Sequence, residues 1–254
     1  IADITGDGSP DLLTVGGSTQ YYFVRNDGAG NFDVPSQDFL GGNPVAIVAA
    51  DLNGDNRTDI AVASSNPGRV NVFLATPDFR FVDSDIYNAA TTLTDLYIED
   101  LDRDGVDDLI ALAQDRVLVL EGRGDGSFED FVRSDYSGSG GRTASIVDFD
   151  LDGELDMLVA HDVGSLPAVS ILVGDGNFMF TARDPVSINA LGLAVDDVNG
   201  DAVLDVLGAG GGIVAYAGSP GGRINGGVAS TVFGDMTGMT LFDVDADGNL
   251  DVVT

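Results

Sequence analysis

The chain has 254 residues, with 42 acidic against 11 basic side chains and a formal net charge of −31. That balance excludes the basic surface that nucleic acid needs, disfavours an anionic membrane, and favours cations. Cys is absent, which removes disulfides, zinc–thiolate sites and cysteine nucleophiles. Hydrophobic residues make up 44%, enough for a sizeable core. No apolar run reaches the ~18 residues of a membrane span, and neither end reads as a signal peptide. All 11 basic residues are Arg, and 38 of the 42 acids are Asp, a poor helix former and a common hard-cation ligand.

In chain order, the first unit opens on an acidic loop, DITGDGSPD from Asp3, followed by strands LLTV and YYFV and the turn NDGAGNF. The second runs PVAIVAA, DLNGDNRTD from Asp51, IAVAS, VNVFLA, the turn TPDFRF and the mixed strand RFVDSDIY. The third runs TDLYIE, DLDRDGVDD from Asp100, LIALA, RVLVL and the turn GRGDGSF. The fourth runs TASIV, DFDLDGELD from Asp148, MLVA, VSILV and GDGNF. The fifth runs LGLAV, DVNGDAVLD from Asp197, VLGA, IVAYA and SPGGRI, and the sixth begins MTLF and DVDADGNLD from Asp243. Short β-branched and apolar runs between turn signals read as strands, and no stretch has a sustained helical period.

The loops start 48, 49, 48, 49 and 46 residues apart. Four short antiparallel strands per ~45 residues is the period of a propeller blade. The expected fold is therefore all-β: a β-propeller of four-stranded antiparallel blades, with the acidic loop between first and second strands. A β-solenoid would want a shorter coil. Residues 1–254 read as one propeller domain or part of one, beginning and ending mid-blade within a larger chain. Five to six blades are represented, and seven are expected when intact. The nearly all-apolar first strand of each unit is expected to be the inner strand, buried on both faces. The mixed fourth strand is expected to be the outer edge.

Asp at loop positions 1, 3 and 5 can converge on one point, position 7 can add its carbonyl, and Asp at position 9 can close the site. Such oxygen-rich sets suit Ca²⁺ better than Mg²⁺. The candidate ligands are Asp3, Thr5, Asp7, Ser9 and Asp11 in loop one, and Asp51, Asn53, Asp55, Arg57 and Asp59 in loop two. Loop three offers Asp100, Asp102, Asp104, Val106 and Asp108, and loop four Asp148, Asp150, Asp152, Glu154 and Asp156. Loop five offers Asp197, Asn199, Asp201, Val203 and Asp205, and loop six Asp243, Asp245, Asp247, Asn249 and Asp251. One Ca²⁺ per loop, up to six, is the expectation. Loops three, four and six have four Asp ligands and Gly at position 6, so they rank highest. Loop five ranks lowest, because Ala202 stands where a left-handed residue is wanted, at roughly 1 kcal/mol. An EF-hand would need Glu at position 12 and flanking helices. Position 12 is Thr14, Val62, Ala111, Val159, Gly208 or Thr254, inside an apolar strand, so that reading fails. The plainer alternative is Asp-rich turns held by side-chain hydrogen bonds, without metal.

These loops and their strand context resemble FG-GAP/VCBS repeats, the calcium-binding blades of integrin α-chain propellers. The turns Asn26–Phe32 and Gly122–Phe128 are similar to those of the bacterial VCBS form. The resemblance implies a calcium-stiffened propeller used for adhesion or ligand display, secreted or at the cell surface, here of bacterial type. The FG-GAP phrase itself is reduced to Phe233–Gly234. A carbohydrate-binding lectin on the same scaffold is one alternative. A propeller-type polysaccharide lyase is another, and it would want a base such as Arg142, Tyr136 or His161.

No catalytic residue is selected by spacing. His161, the sole His, reads as a solvated residue in a connecting loop, HDVGSLP. Arg123-Gly124-Asp125 spells an adhesion tripeptide inside a turn whose Gly-Asp-Gly the repeat already demands. Asn56-Arg57-Thr58 is a glycosylation sequon inside an acidic loop. A protein or glycan ligand is expected on the face opposite the acidic loops, at 66–68, 138–142 and 161–167, because binding residues concentrate on loops carried by a rigid scaffold.

Overall fold

A computed structural model describes residues 1–16, 19–34, 36–39, 42–78, 80–229, 239–245 and 250–253. Phe233–Gly234, Asp247, Asn249 and Thr254 lie outside the described residues. The chain divides into two compact units. Unit 1 comprises Ile1–Ala113 and Val117–Arg133; unit 2 comprises Gln114–Arg116 and Ser134–Thr254.

Every described element of regular structure is a strand. The first sheet holds β1 (Leu12–Gly16), β2 (Gln20–Val24) and β3 (Ser36–Phe39). The second holds β4 (Pro44–Ala50), β5 (Asp59–Ser65), β6 (Gly68–Ala75) and β7 (Phe81–Asn88). The third holds β8 (Leu93–Glu99), β9 (Asp108–Ala113), β10 (Arg116–Leu120) and β11 (Val132–Asp135). The fourth holds β12 (Ser139–Val147), β13 (Asp156–Val163), β14 (Leu166–Gly174) and β15 (Phe180–Ala182). The fifth holds β16 (Gly192–Asp196), β17 (Asp205–Ala209), β18 (Ile213–Ser219) and β19 (Arg223–Ala229). A pair, β20 (Thr240–Phe242) and β21 (Asp251–Val253), begins the sixth. In every sheet the strands lie in chain order and pair antiparallel. The sheets are meanders, and the four complete ones are the four-stranded blades of a β-propeller.

The first strand is not the most deeply buried one. In β5, β9, β13 and β17, the second strands, nearly every residue is buried, whereas the first strands β4 and β16 are mostly half-buried. The order within each sheet is the cause. A second strand is paired on both sides and covered on both faces, while a first strand is an edge. Alternation along β5 shows how one strand serves two cores. Ile60 and Val62 pack with Tyr21 and Phe73. Ala61 and Ala63 pack the other way, with Leu93, Leu96 and Leu109. In unit 2, Leu158 and Ala160 of β13 join Ile188, Leu193 and Val206 in one core. The fourth strand behaves as the exposed edge: β7 is open along most of its length.

Three of the third-to-fourth-strand turns share one form. In 26–32 and 122–128, two glycines take φ of +73° and +88°, and of +71° and +85°. The turn in blade four runs Gly174 to Phe180, because those two residues pair. Phe178, the aromatic that ends GDGNF, takes the second left-handed position (φ +67°), and Phe180 is the buried aromatic. Phe128 and Phe180 receive matching ties. The Phe128 amide donates to Tyr87 Oη at 2.8 Å, and the Phe180 amide to Ser134 Oγ at 2.9 Å.

Candidate metal centres

Loops two to six each link a first strand to a second, and loop one leads into β1; the carboxylates divide into three roles. Position 1 caps the loop from inside. Asp148 accepts from the Asp152 and Gly153 amides at 3.1 and 3.0 Å, and Asp3, Asp51 and Asp197 do the same in their loops. Position 5 closes a turn on position 7: Asp7, Asp55, Asp104, Asp152 and Asp201 accept from the amides of Ser9, Arg57, Val106, Glu154 and Val203. Position 9 opens the second strand and is buried: Asp11, Asp59 and Asp156 are 0% exposed, and Asp108 and Asp205 are 2%.

That buried Asp is a backbone staple. One oxygen accepts from the amide at position 2: Ile4, Leu52, Leu101, Phe149 or Val198. In loop six, Asp251 accepts from Val244 in the same way but is not buried. In loops one to five the other oxygen accepts from an amide at the far end of the third strand or just beyond it: Asn26, Ala75, Gly122, Gly174 or Gly218. The carboxylate thus joins loop, second strand and third strand. Burial raises the pKa of Asp108 to about 6, against the pull of its two amide donors and with help from Asp102 and Asp100. Burial likewise raises Asp59 and Asp156.

In three loops the carboxylates at positions 1, 3 and 9 come together. In Asp100–Asp102–Asp108, Asp148–Asp150–Asp156 and Asp243–Asp245–Asp251, one oxygen from each residue lies within 4.8 Å of the others. Asp104 and Asp152 at position 5 stand outside these trios. Two residues of these trios each have one oxygen, Asp100 Oδ1 and Asp150 Oδ1, that is buried without a hydrogen-bond partner. A buried, unpartnered carboxylate oxygen on a residue grouped with two other carboxylates is costly unless something positive meets it. The oxygens used in turns do not settle the matter against metal, because a carboxylate has about four acceptor sites. Residues and geometry therefore fit a hard divalent cation in loops three, four and six.

Loops one, two and five carry Thr5, Asn53 and Asn199 at position 3, so the third carboxylate is missing. Arginines also partner the position-5 carboxylates of loops one and two: Arg25 lies 3.1 Å from Asp7, and Arg57 pairs with Asp55. In loop five the Asn199 Nδ2 donates to both oxygens of Asp205, at 3.3 and 3.0 Å. Backbone strain does not single loop five out. Ala202 does take φ +65°, but Arg103 and Leu151, at position 4 of loops three and four, take +63° and +62°. Each of these loops has two left-handed residues, at positions 4 and 6; only the second was evident from sequence.

His161 is not in a solvated loop. It lies in β13 and is 0% exposed. The hairpin continues to Val163 and returns at Leu166, around a two-residue turn with Gly164 at φ +66°. His161 Nδ1 lies 3.2 Å from the Asp162 carbonyl and Nε2 lies 2.8 Å from Ser170 Oγ. A carbonyl only accepts, so Nδ1 carries the proton and the Ser170 hydroxyl donates to Nε2. Ser170 is also fully buried, so this serine–histidine pair is closed to substrate. Tyr136 packs on the ring at 5.0 Å, and Arg142 pairs with Asp162. The segment 138–142 likewise runs into β12 rather than forming a loop. In the Arg123-Gly124-Asp125 turn, Arg123 pairs with Glu129 and Asp125 accepts from Ser127, so both charged ends are engaged locally.

Chain-order four-stranded meanders with an acidic loop between first and second strands define an acidic-loop β-propeller. The FG-GAP-like repeat family matches residues 3–62, 51–111 and 100–159, and the chain belongs to that family. No curated protein matches it in sequence. Among solved structures it is similar to BBS1N in complex with ARL6DN (TM-score 0.64, 15% identity, 98% of this chain and 70% of that one). It is also similar to the V. cholerae biofilm matrix protein Bap1 (TM-score 0.55, 13% identity, 99% and 72%). A third is a protein from Lactobacillus plantarum (TM-score 0.53, 16% identity, 87% and 70%). At such identities the likeness is one of fold. Among the described residues no helix is long and apolar enough to cross a membrane.

Proposed function

We propose that the chain is a calcium-binding propeller module, structural or adhesive, that works outside the cell or at its surface. The observation that carries this reading is the trio of converging carboxylates in loops three, four and six, with buried Asp100 Oδ1 and Asp150 Oδ1 lacking partners. Bound there, Ca²⁺ would offset most of the trio's charge and hold the loop shut; the chain's own part is to orient the oxygens and, in loops three and four, to bury position 9. Extracellular calcium modules bind at about 10⁻⁴–10⁻³ M, which suits a site filled outside the cell.

The protein or glycan ligand would engage hairpin tips away from the acidic loops. One such tip, at Val163 and Leu166, is exposed and borders a hollow of about 110 Å³ lined also by Pro167, Ala168 and Pro185. The test of the cation reading is thermal unfolding with excess EDTA and with millimolar Ca²⁺, beside a count of bound metal. A ligand of the folded state raises stability by RT ln(1 + [L]/Kd) per site. A rise with at least three bound ions is expected. An unchanged melting temperature with no metal bound would leave the loops as turns alone.

A further inference from the structure

Loop four contains a positive charge of its own. Arg183, just past β15, reaches across to the acidic loop of its blade and to the β18–β19 hairpin of the next. Its Nη2 donates to Asp150 Oδ2 at 2.7 Å. Its Nη1 donates to the carbonyls of Gly221 and Gly222 at 2.9 and 2.5 Å. The Asp150 side chain is 10% exposed, its other oxygen, Oδ1, is buried and unpartnered, and the residue forms a trio with Asp148 and Asp156. The hairpin is fitted closely to this arrangement. A Cβ on Gly222 would come within 2.5 Å of the Asp150 Cβ and 2.8 Å of Arg183 Nη1. In loops one and two, by contrast, Arg25 and Arg57 meet position 5, which corresponds to the carboxylates standing outside the trios of loops three and four.

We propose that Arg183 is a built-in counter-cation of loop four, which offsets part of its carboxylate charge when no metal is bound and weakens this loop as a cation site. The inference rests on the cation reading above. A cation held by Oδ1 of Asp150 sits one carboxylate away from a guanidinium that cannot lose its charge. Like charges at that range repel appreciably even near a protein surface, and the affinity of oxygen sites follows the net charge of their ligands. Because the same guanidinium holds the Gly221 and Gly222 carbonyls, occupancy of loop four is coupled to the hairpin of the following blade.

The experiment is a Ca²⁺ titration followed by hydrogen exchange in peptides 100–108, 148–156 and 218–224, on the wild-type chain, Arg183→Gln and Arg183→Lys. In Arg183→Gln the loop-four midpoint should fall at least roughly threefold, with loop three unmoved, and peptide 218–224 should stop responding to Ca²⁺. Arg183→Lys keeps the charge and should stay within about twofold of wild type. A loop that merely lost structural support would bind more weakly, so a loop-four midpoint that is unchanged or higher in Arg183→Gln overturns the inference. So does an equal fall in Arg183→Lys, which also reports if Arg183→Gln does not fold. If neither loop three nor loop four responds in the wild type, the cation reading itself fails; if loop three responds and the substitution leaves loop four alone, only the role of Arg183 is lost.

Discussion

Asp108 Oδ1 accepts the Gly122 amide at 2.9 Å, while Asp108 Oδ2 accepts the Leu101 amide at 2.9 Å. One buried carboxylate therefore holds the acidic loop to the hairpin beneath it. Asp102, its neighbour in the trio, does not make these ties. The two residues should separate folding from metal binding. Asp108→Ala strands two buried amides and should cost about 2–5 kcal/mol in EDTA as well as in Ca²⁺. Asp102→Ala should be near neutral in EDTA and lower the melting temperature only in Ca²⁺. Equal costs for both in EDTA would contradict this division.

Gly122 is constrained by the same contact. A Cβ there would lie 2.3 Å from the Asp107 carbonyl oxygen, a backbone atom that cannot move aside independently. Gly122→Ala should destabilise the third blade by about 1–3 kcal/mol, read by denaturant unfolding. Gly54→Ala, whose nearest neighbour would be 3.9 Å away, tests the other hazard, left-handed strain alone at φ +73°, and should cost about 1–2 kcal/mol.

Loop five has the frame of a cation site but a donor in its middle. Asn199→Asp replaces the amide that faces Asp205 with a carboxylate and completes the trio with Asp197. The variant should bind one more Ca²⁺ than wild type by mass spectrometry under native conditions. In EDTA it should be less stable, because a third anion joins a buried one. An unchanged metal count would show that a third carboxylate is not what loop five lacks.

His161 gives a pH dependence of defined sign. Burial lowers its pKa below the ordinary value of 6.5, Arg142 adds to that, and the Asp162 carbonyl and carboxylate oppose it; Tyr136 and Ser170 are the other polar groups at the ring. The unfolded chain therefore takes up the proton first as pH falls. Stability is full above 6.5 and is lost as pH falls below it toward the folded pKa. In saturating Ca²⁺, wild type should lose more stability between about pH 8 and 5 than His161→Gln, which lacks the imidazole. Parallel losses would mean that His161 titrates alike in the folded and unfolded chain.

Strand existence and loop spacing were legible because alternation, β-branched runs and Asp/Gly turns all point one way along this chain. Burial depth was not. Apolar PVAIVAA and IAVAS look alike in composition, and only the order of strands in the sheet makes β5 central and β4 an edge. His161 was misplaced because a polar residue in a polar-looking run read as loop; the signal available was Gly164-Ser165, a two-residue hairpin turn that lets the strand continue past it. Phe180 was passed over for Phe178 because the turn was cut two residues short. At the loops, the grammar of positions was visible, but it could not show that position 5 would turn to its own backbone or that position 9 would be buried as a staple.

That staple separates two kinds of information carried by one letter. Asp at position 9 is required to assemble the hairpin, so its presence says little about whether a repeat has ever held an ion. Position 3 does the discriminating: Asp where the trio forms, Thr or Asn where it does not. A repeat of this kind can surrender its cation and remain a sound blade, and a propeller can hold empty and loaded blades side by side without any change in its scaffold. If the trios hold ions, their number would be set by a handful of single-residue choices at one loop position, independently of how many blades the protein has.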